Sequence, residues 1–485
     1  MDTEIEALKR NDTYTVVPIP KGRKLVDSKW VYRTKYLADG SVERLKARGV
    51  AKGYSQIPGQ DFDETFAPVV RYESLYLLLA ISAQKGWKPR QYDVKSAFLY
   101  GQLQEIIYMR PLQGYREEGM CWKLNKCLYG LKQSAHEWYG EFSTAMAEKG
   151  FQACNFDPCV FVHQEHEIYI SVFVDDIIRY SDSTPEAEAL ISFLKQRFEI
   201  TDLGEATWIL GLKITYSPRG ISLSQQQYIE KVLTRFNMIQ SNSVSTPLEK
   251  GMKLRKGLPH EQLEDTPYYQ AIIGSVNYVA MGTRPDLAHT SSLLSQYSSC
   301  PNMTHLKAAK HMLRYLNGTK EHELFFPSNG SFTLEGYSDA DYATCLDTRR
   351  SFSGYIFKFG EAAISWRSRK QDCVTTSTIE SEYVALSLAS RQLKWLLGAC
   401  SELRIEVKAC LKGDNTGSIS LVENNRVNDR SKHIDVHYHK IREEFQKGTF
   451  ELFHIESKDN LADIFTKILP KPTHEKLYTR IWCAQ

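Results

Sequence analysis

Three aspartates in the first half of the chain have the type and placement to hold divalent cations. Asp93 ends a short strand in Gln91-Tyr-Asp-Val-Lys-Ser-Ala-Phe98, and about eighty residues later Asp175 and Asp176 close the apolar run 168–174. Strand neighbours point to opposite faces, so the adjacent pair shares one site only if the chain turns there, as at the tip of a hairpin. Nucleotidyl transfer calls for such a set: two Mg²⁺ ions about 4 Å apart activate the attacking 3′-hydroxyl and hold the triphosphate. Magnesium is a hard ion that takes carboxylate, phosphate and water oxygens. Asp93 and Asp175 are placed to bridge both ions, with Asp176 nearby. An Asp-Asp pair by itself is common in long chains. Its seat after an apolar strand gives it weight.

A second set lies in the last third: Asp339 on a strand, Glu380 early in a long helix, Asp414 at a strand end and Asp463 in a final helix. Four acids at the ends of separate elements suit a two-metal phosphodiesterase, which activates water for in-line attack on a phosphate. Asp341 and Glu382 have no better claim from spacing alone.

The elements that must position these residues are legible in outline. Segments 29–37 and 42–50 read as a hairpin turning at Asp39-Gly40. Residues 73–86 read as a buried helix, 90–94 as a strand, 133–149 as a helix, and 160–163 with 167–174 as paired strands. The 185–198 segment is an amphipathic helix with Leu190, Ile191, Leu194 and Phe198 on one face. Another hairpin spans 208–216 and 221–224. From 251 to 330 the pattern turns helical (265–281, 285–297, 302–317), punctuated by Pro301 and Gly318. Strands at 331–339, 353–358 and 362–366 follow, then a helix over 376–397. A strand ending at Asp414, helices from Thr416 and His433, a strand over 451–455 and a helix from Asn460 complete an order that makes one sheet with helices packed on it.

The chain has 485 residues, enough for about three domains. Its ten cysteines form no C-x-x-C pair and read as reduced thiols. No run approaches the length of a membrane span, and the charged first ten residues do not read as a signal peptide. Net charge is only +3, yet between Lys21 and Lys52 there are ten Lys/Arg against three Asp/Glu. Such a cluster attracts a phosphate backbone or a triphosphate, or else is a solvated hairpin.

The first 250 residues resemble the reverse transcriptase of copia-type LTR retrotransposons. The resemblance rests on Lys46-Ala-Arg-Gly-Val-Ala-Lys-Gly-Tyr-Ser-Gln56, Glu64-Thr-Phe-Ala-Pro-Val69, Tyr92-Asp-Val-Lys-Ser-Ala-Phe-Leu-Tyr-Gly101, Leu128-Tyr-Gly-Leu-Lys-Gln133, Phe173-Val-Asp-Asp176 and Ile209-Leu-Gly-Leu-Lys-Ile214. It implies an α+β right-hand polymerase of fingers, palm and thumb over 1–250, with Asp93, Asp175 and Asp176 as metal-binding carboxylates. Lys46, Arg48 and Lys52 match the basic fingers segment that meets a triphosphate. Phe98 matches an aromatic that abuts the sugar, plain core packing being its other role. Gly130 and Lys132 match the motif under the templating pair, and Leu210 and Gly211 the turn that grips the primer end. A helical connector over 251–330 follows.

Residues 331–485 resemble the α/β RNase H domain of the same elements. The words that match are Tyr337-Ser-Asp-Ala-Asp-Tyr342, Arg350-Ser-Phe-Ser-Gly-Tyr355, Ile364-Ser-Trp366, Ser377-Thr-Ile-Glu-Ser-Glu-Tyr383, Asp414-Asn415, Lys432-His-Ile-Asp435 and Leu461-Ala-Asp-Ile-Phe-Thr-Lys467. On this match Asp339, Glu380, Asp414 and Asp463 are the catalytic acids. The implied partners are an RNA template, a DNA primer, the RNA–DNA hybrid and dNTPs. Integrase and Gag of the same element, oligomers and a cytoplasmic virus-like particle with nuclear entry also follow from it. Two Mg²⁺ per site are implied, with Mn²⁺ the alternative ion.

His433, His437 and His439 lack the companion cysteines of a zinc site. His454 has the type of a product-release histidine but sits in a strand. The run 367–370 is either a hybrid-backbone contact or a solvated turn. Four departures from the family pattern point toward a decayed copy that only binds nucleic acid: Ala135-His136 for Pro-Arg, Gly49 for a large apolar residue, Thr344-Cys345 for Gly-Asp, and Arg179 in an apolar strand. A buried arginine is costly unless paired.

Overall fold

The computed structural model describes residues 1–36, 41–424 and 436–482. They form two compact units, one of Met1–Arg71 with Pro89–Glu205, the other of Tyr72–Lys88 with Ala206–Gln485. The mixture is α+β, as the sequence implies.

In the first unit the basic hairpin forms from Ser28–Tyr36 and Val42–Ala51, with Lys46 opposite Arg33 and Arg48 opposite Val31. Its Asp39-Gly40 turn lies outside the described residues. Gly49 is matched by a large residue from elsewhere: a Cβ there would come within 2.5 Å of Leu112 Cδ1. The Gly49 amide also donates to Glu4 Oε1 at 3.2 Å.

A six-stranded antiparallel sheet carries the first acids. Its order is Ile200–Glu205, Arg90–Val94, Asp176–Tyr180, Tyr169–Phe173, Val160–His163 and Phe151–Ala153. The apolar runs at 160–163 and 169–173 are almost wholly buried, as a strand covered on both faces should be. The helix Ser134–Ala147 presses Phe142 edge-on to Phe161 at 5.5 Å and Trp138 edge-on to Phe198 at 5.1 Å. Arg179 is 1% exposed in this sheet, and its Nη1 donates to Glu188 Oε1 at 2.9 Å. That hydrogen bond holds the Glu188 carboxyl below the usual range. The arginine expected to be costly is therefore paired.

In the second unit the helix Tyr72–Lys85 is buried over residues 74–83, as expected. The break in packing falls at 205/206, whereas the sequence motifs suggest a boundary at 250. Helix Gln226–Arg235 shares one core with the connector helices Thr266–Gly282, Ala288–Ser295 and Met303–Gly318, through Ile229, Leu233, Tyr269, Val276 and Leu313. The strand Leu324–Pro327 completes a sheet begun by Trp208–Ile209, Leu212–Ser217 and Gly220–Ser224.

At the connector's centre Arg284 and Asp286 form a fully buried ion pair, Nη2 to Oδ2 at 2.7 Å. Tyr315 donates to Asp286 Oδ2 at 2.7 Å, and Arg284 Nη1 donates to the Thr319 carbonyl at 2.9 Å. Removing one partner strands the other charge. Arg284→Met is expected to cost about 3–5 kcal/mol of stability in urea unfolding. A loss under about 1 kcal/mol would mean that Asp286 is neutral in the fold, since a stranded charge costs more than that.

The last five strands form one sheet in the order Ala362–Lys370, Phe352–Phe359, Thr333–Asp341, Lys408–Gly413, Glu451–His454, the last two pairings parallel. The helix Thr378–Glu402 packs on its middle strands, with the Ser377 hydroxyl capping the Glu380 amide at 3.2 Å. Two expectations are corrected here. The basic run 367–370 belongs to a strand and not a turn, and its alternation leaves Arg367 and Arg369 exposed on one face. The final helix is divided: a 3₁₀ turn Leu461–Phe465 carries Asp463, and an α-helix Lys471–Trp482 follows. Among the described residues no helix is long and apolar enough to cross a membrane.

Candidate active sites

The first acids lie where two central strands run side by side, without bringing three carboxylates within 4.8 Å of one another. Asp93 and Asp176 are direct cross-strand partners, so their side chains share a face of the sheet. Val174 adopts a left-handed conformation (φ 56°), which turns the chain and seats Asp175 at the hairpin tip. The turn is fixed from both sides: Val94 N donates to the Asp175 carbonyl at 2.8 Å, and Trp138 Nε1 to the Val174 carbonyl at 2.6 Å. Asp176 accepts from Gln91 Nε2 at 3.0 Å. Its carboxyl is pushed up by burial and by the charges of Asp175 and Asp93, with the Gln91 bond opposing. The hairpin tip required by the sequence is present.

Around these acids stand several residues singled out by sequence. The Arg48 guanidinium lies 4.5 Å over the Tyr129 ring, and Phe98 meets the same ring edge-on at 5.1 Å. Burial pushes the Tyr129 phenol up, and it feels the charges of Arg48, Asp175 and Asp93. Spacing alone reveals no role for Tyr129; the fold packs it against Arg48 and within reach of the charges of Asp93 and Asp175. Lys46 lies on the same hairpin strand, and Lys52 pairs weakly with Asp27 at 3.9 Å.

Gly130 has φ 92°, and a Cβ there would strike the Ala51 carbonyl, so only glycine lets this loop dock on the hairpin. Lys132 lies 4.3 Å over the Phe62 ring, its amide bonded to Gln56 Oε1 at 2.9 Å. Gln133 locks the same loop through Gln56 and the Asp61 carbonyl. Leu210 and Gly211 belong to the second unit. Both have positive φ, 50° and 79°, in a two-residue turn between short strands. Tyr278 donates to the Leu210 carbonyl at 3.0 Å.

In the second unit Asp339, Glu382 and Asp414 bring ligand oxygens within 4.8 Å of one another, the one such group of three among the described residues. This corrects the sequence reading at Glu380. The Glu380 carboxylate turns back to accept from Thr376 N at 2.6 Å and Thr376 Oγ1 at 2.9 Å, a local tie at the helix start. Residues two apart on a helix point about 200° away from each other, so only one of the two glutamates can face Asp339. Burial and the charges of Asp339 and Asp414 push the Glu382 carboxyl up to about 9. Buried acids that repel one another in this way, with an all-oxygen donor set, fit a hard divalent cation.

Asp463 joins through Asp339: its carboxyl is pushed up to about 7 by burial and by the Asp339 charge. Asp341 is pushed up to about 6, chiefly by burial. Lys467, whose role spacing alone does not reveal, bonds both Asp339 and Asp463, and the Thr466 hydroxyl bonds Asp339. His454 Nε2 reaches the Asp414 carbonyl at 3.2 Å, so it does stand beside the acids. His439 is engaged by the Tyr383 hydroxyl at 2.9 Å, while His433 lies outside the described residues.

Residues 11–250 match the family described as reverse transcriptase (RNA-dependent DNA polymerase). Over 490 aligned residues the chain is 39% identical to the retrovirus-related Pol polyprotein from transposon TNT 1-94 of Nicotiana tabacum, covering 98% of this chain and 37% of that protein. It is 37% identical to the corresponding polyprotein from transposon RE1 of Arabidopsis thaliana, covering 99% of this chain and 33% of the relative. The chain thus spans about a third of the length of these curated relatives. Among solved structures, a foamy viral protease-reverse transcriptase in complex with RNA/DNA hybrid aligns at 13% identity and TM-score 0.49, over 93% of this chain and 52% of that one.

Proposed function

Because the chain belongs to the reverse transcriptase family, as part of a copia-type retrotransposon Pol polyprotein, we propose that it copies an RNA or DNA template into DNA and cuts the RNA strand of the resulting hybrid. The observation that carries the first reaction is Asp93 paired across the sheet with Asp176, with Asp175 at the adjoining turn. That of the second is the convergence of Asp339, Glu382 and Asp414.

Asp93, Asp175 and Asp176 would hold Mg²⁺ in the first unit; Asp339, Glu382, Asp414 and Asp463 would hold it in the second. When bound, the metal supplies Lewis-acid chemistry, lowering the pKa of an attacking hydroxyl or water and neutralising charge that develops on phosphate oxygens. The chain's own residues do the rest. Lys46 and Arg48 on one hairpin strand, with Lys52 just beyond its end, offer positive charge to a triphosphate. Arg48, held over Tyr129, is pre-oriented for a bidentate phosphate contact. Phe98, packed on the same ring, sits where an aromatic can bear on the sugar of an incoming dNTP. Gly130 keeps the loop carrying Lys132 close to the hairpin, beneath a template strand. In the second unit Arg367 and Arg369 offer an exposed basic face to a hybrid backbone.

The test is primer extension. A labelled DNA primer annealed to an RNA template is incubated with the purified chain, dNTPs and Mg²⁺. Template-length product is the expected result. Folded protein that binds the primer-template without extending it would replace this reading with that of a nucleic-acid-binding relic.

A further inference from the structure

The hydrolytic site carries a cation in its own sequence. Lys467 Nζ lies 3.0 Å from Asp339 Oδ1 and 2.8 Å from Asp463 Oδ1. Asp339 is fully buried, and its other oxygen accepts from the Thr466 hydroxyl. Asp339 therefore belongs to two groups at once, the triad with Glu382 and Asp414 and the lysine-bridged pair with Asp463. A two-ion site needs oxygens from both groups, and Lys467 already neutralises one of them.

We propose that Lys467 is a built-in competitor for one of the two divalent ions: its ammonium holds the Asp339–Asp463 pair together, and an ion taking those oxygens must displace it. This rests on the hybrid-cleaving reading given above. The triad, which Lys467 bonds only at Asp339, takes the tighter ion. The lysine-bridged half takes the weaker one, because its ligands exchange one cation for another. A lysine suits the role: its compact charge rides on a flexible four-carbon stem that can swing aside, which a planar guanidinium does less readily. The ammonium is a positioning group that keeps Asp463 against Asp339 until the second ion arrives.

The test is metal binding and melting of the full chain, with MnCl₂ alone as the probe. Calorimetric titration of the parent, Lys467→Met and Lys467→Arg is compared, the first unit's acids being common to all three. Lys467→Met is expected to bind its weakest Mn²⁺ at least about tenfold more tightly, a modest part of the Coulomb interaction of a unit charge at close range. It should also melt lower than the parent in EDTA, where its acids lack a counter-charge, and recover most of that deficit in Mn²⁺. Lys467→Arg keeps the charge, so it should melt like the parent in EDTA and bind its weakest Mn²⁺ more weakly than the parent, because a guanidinium is harder to displace. Equal Mn²⁺ affinity in the parent and Lys467→Met, with the same melting deficit in EDTA and in Mn²⁺, would reduce Lys467 to a structural residue and overturn the proposal. Asp414→Asn separates the two readings. If its isotherm matches the parent's, the triad is no metal centre, and the hybrid-cleaving reading falls first.

Discussion

Asp175→Asn is expected to abolish primer extension and leave cleavage of a hybrid's RNA strand unchanged, while Asp414→Asn does the reverse. The two acids lie in different compact units, each among its own neighbours. Asparagine keeps the volume of aspartate and removes the charge. At both places the lost charge repels others: Asp176 feels that of Asp175, and Glu382 that of Asp414. Neither change should therefore lower the melting temperature, and lost activity will not be lost fold. Charge stabilisation through a metal ligand is worth several kcal/mol, and about 4 kcal/mol corresponds to roughly a thousandfold in rate. Extension and hybrid cleavage measured on one preparation of each variant decide the matter. Loss of both activities in either folded variant would show a single shared site.

The elements that bear the acids were legible because their signals are local. The strands Val160–His163 and Tyr169–Phe173 are apolar runs beside turn residues and form where expected, as does the short strand Arg90–Val94 that carries Asp93. The strands Tyr14–Pro18, Gln102–Met109 and Met120–Lys126 were not read. Their faces are mixed, as in the exposed-and-intermediate start of Gln102–Met109, and their sheet joins segments about a hundred residues apart. Leu324–Pro327 is four residues in a helical stretch and becomes a strand only by pairing with Gly220–Ser224. The 205/206 break was invisible for the same reason: motif boundaries follow the alignment of chemistry, whereas packing follows which apolar faces meet.

The departures that point toward decay look different once their surroundings are known. Gly49 leaves room that Leu112 fills. Arg179 is answered by Glu188. His136, in place of the usual residue, donates through Nδ1 to the Phe66 carbonyl at 2.7 Å. A chain under no constraint accumulates changes one at a time, each leaving a cavity or an unpaired group. Here Gly49 and His136 find partners in distant segments, which sequence read in order does not reveal, and Arg179 finds one nine residues on, although its buried Nε has none. At Thr344-Cys345 the Thr344 hydroxyl donates to the Asp341 carbonyl at 3.4 Å, and the buried Cys345 thiol accepts from Thr348 Oγ1 at 3.1 Å and Lys370 Nζ at 3.8 Å.

Glu382→Gln is expected to remove hybrid cleavage, and Glu380→Gln to keep it. The sequence word Ser377-Thr-Ile-Glu-Ser-Glu-Tyr383 offers both glutamates, and the helix turns one of them away. Glu382 shares its oxygens with Asp339 and Asp414, so neutralising it takes away a ligand and should slow cleavage roughly a thousandfold, on the same several-kcal/mol reasoning. Its carboxyl is already held near 9 by burial and by those two charges, so glutamine should leave melting in EDTA unchanged or higher. Glu380 does different work. Its carboxylate receives the Thr376 amide and hydroxyl at the start of a 25-residue helix. Glutamine keeps an acceptor there but loses the charge near the helix N-terminus, a change worth about 1 kcal/mol or less, with cleavage within a few-fold of the parent. Cleavage of a labelled RNA annealed to DNA, read on a gel beside melting curves, separates the pair. If Glu380→Gln abolished cleavage while Glu382→Gln retained it, the catalytic glutamate would return to Glu380, and the helix would have to rotate on the sheet when the hybrid binds.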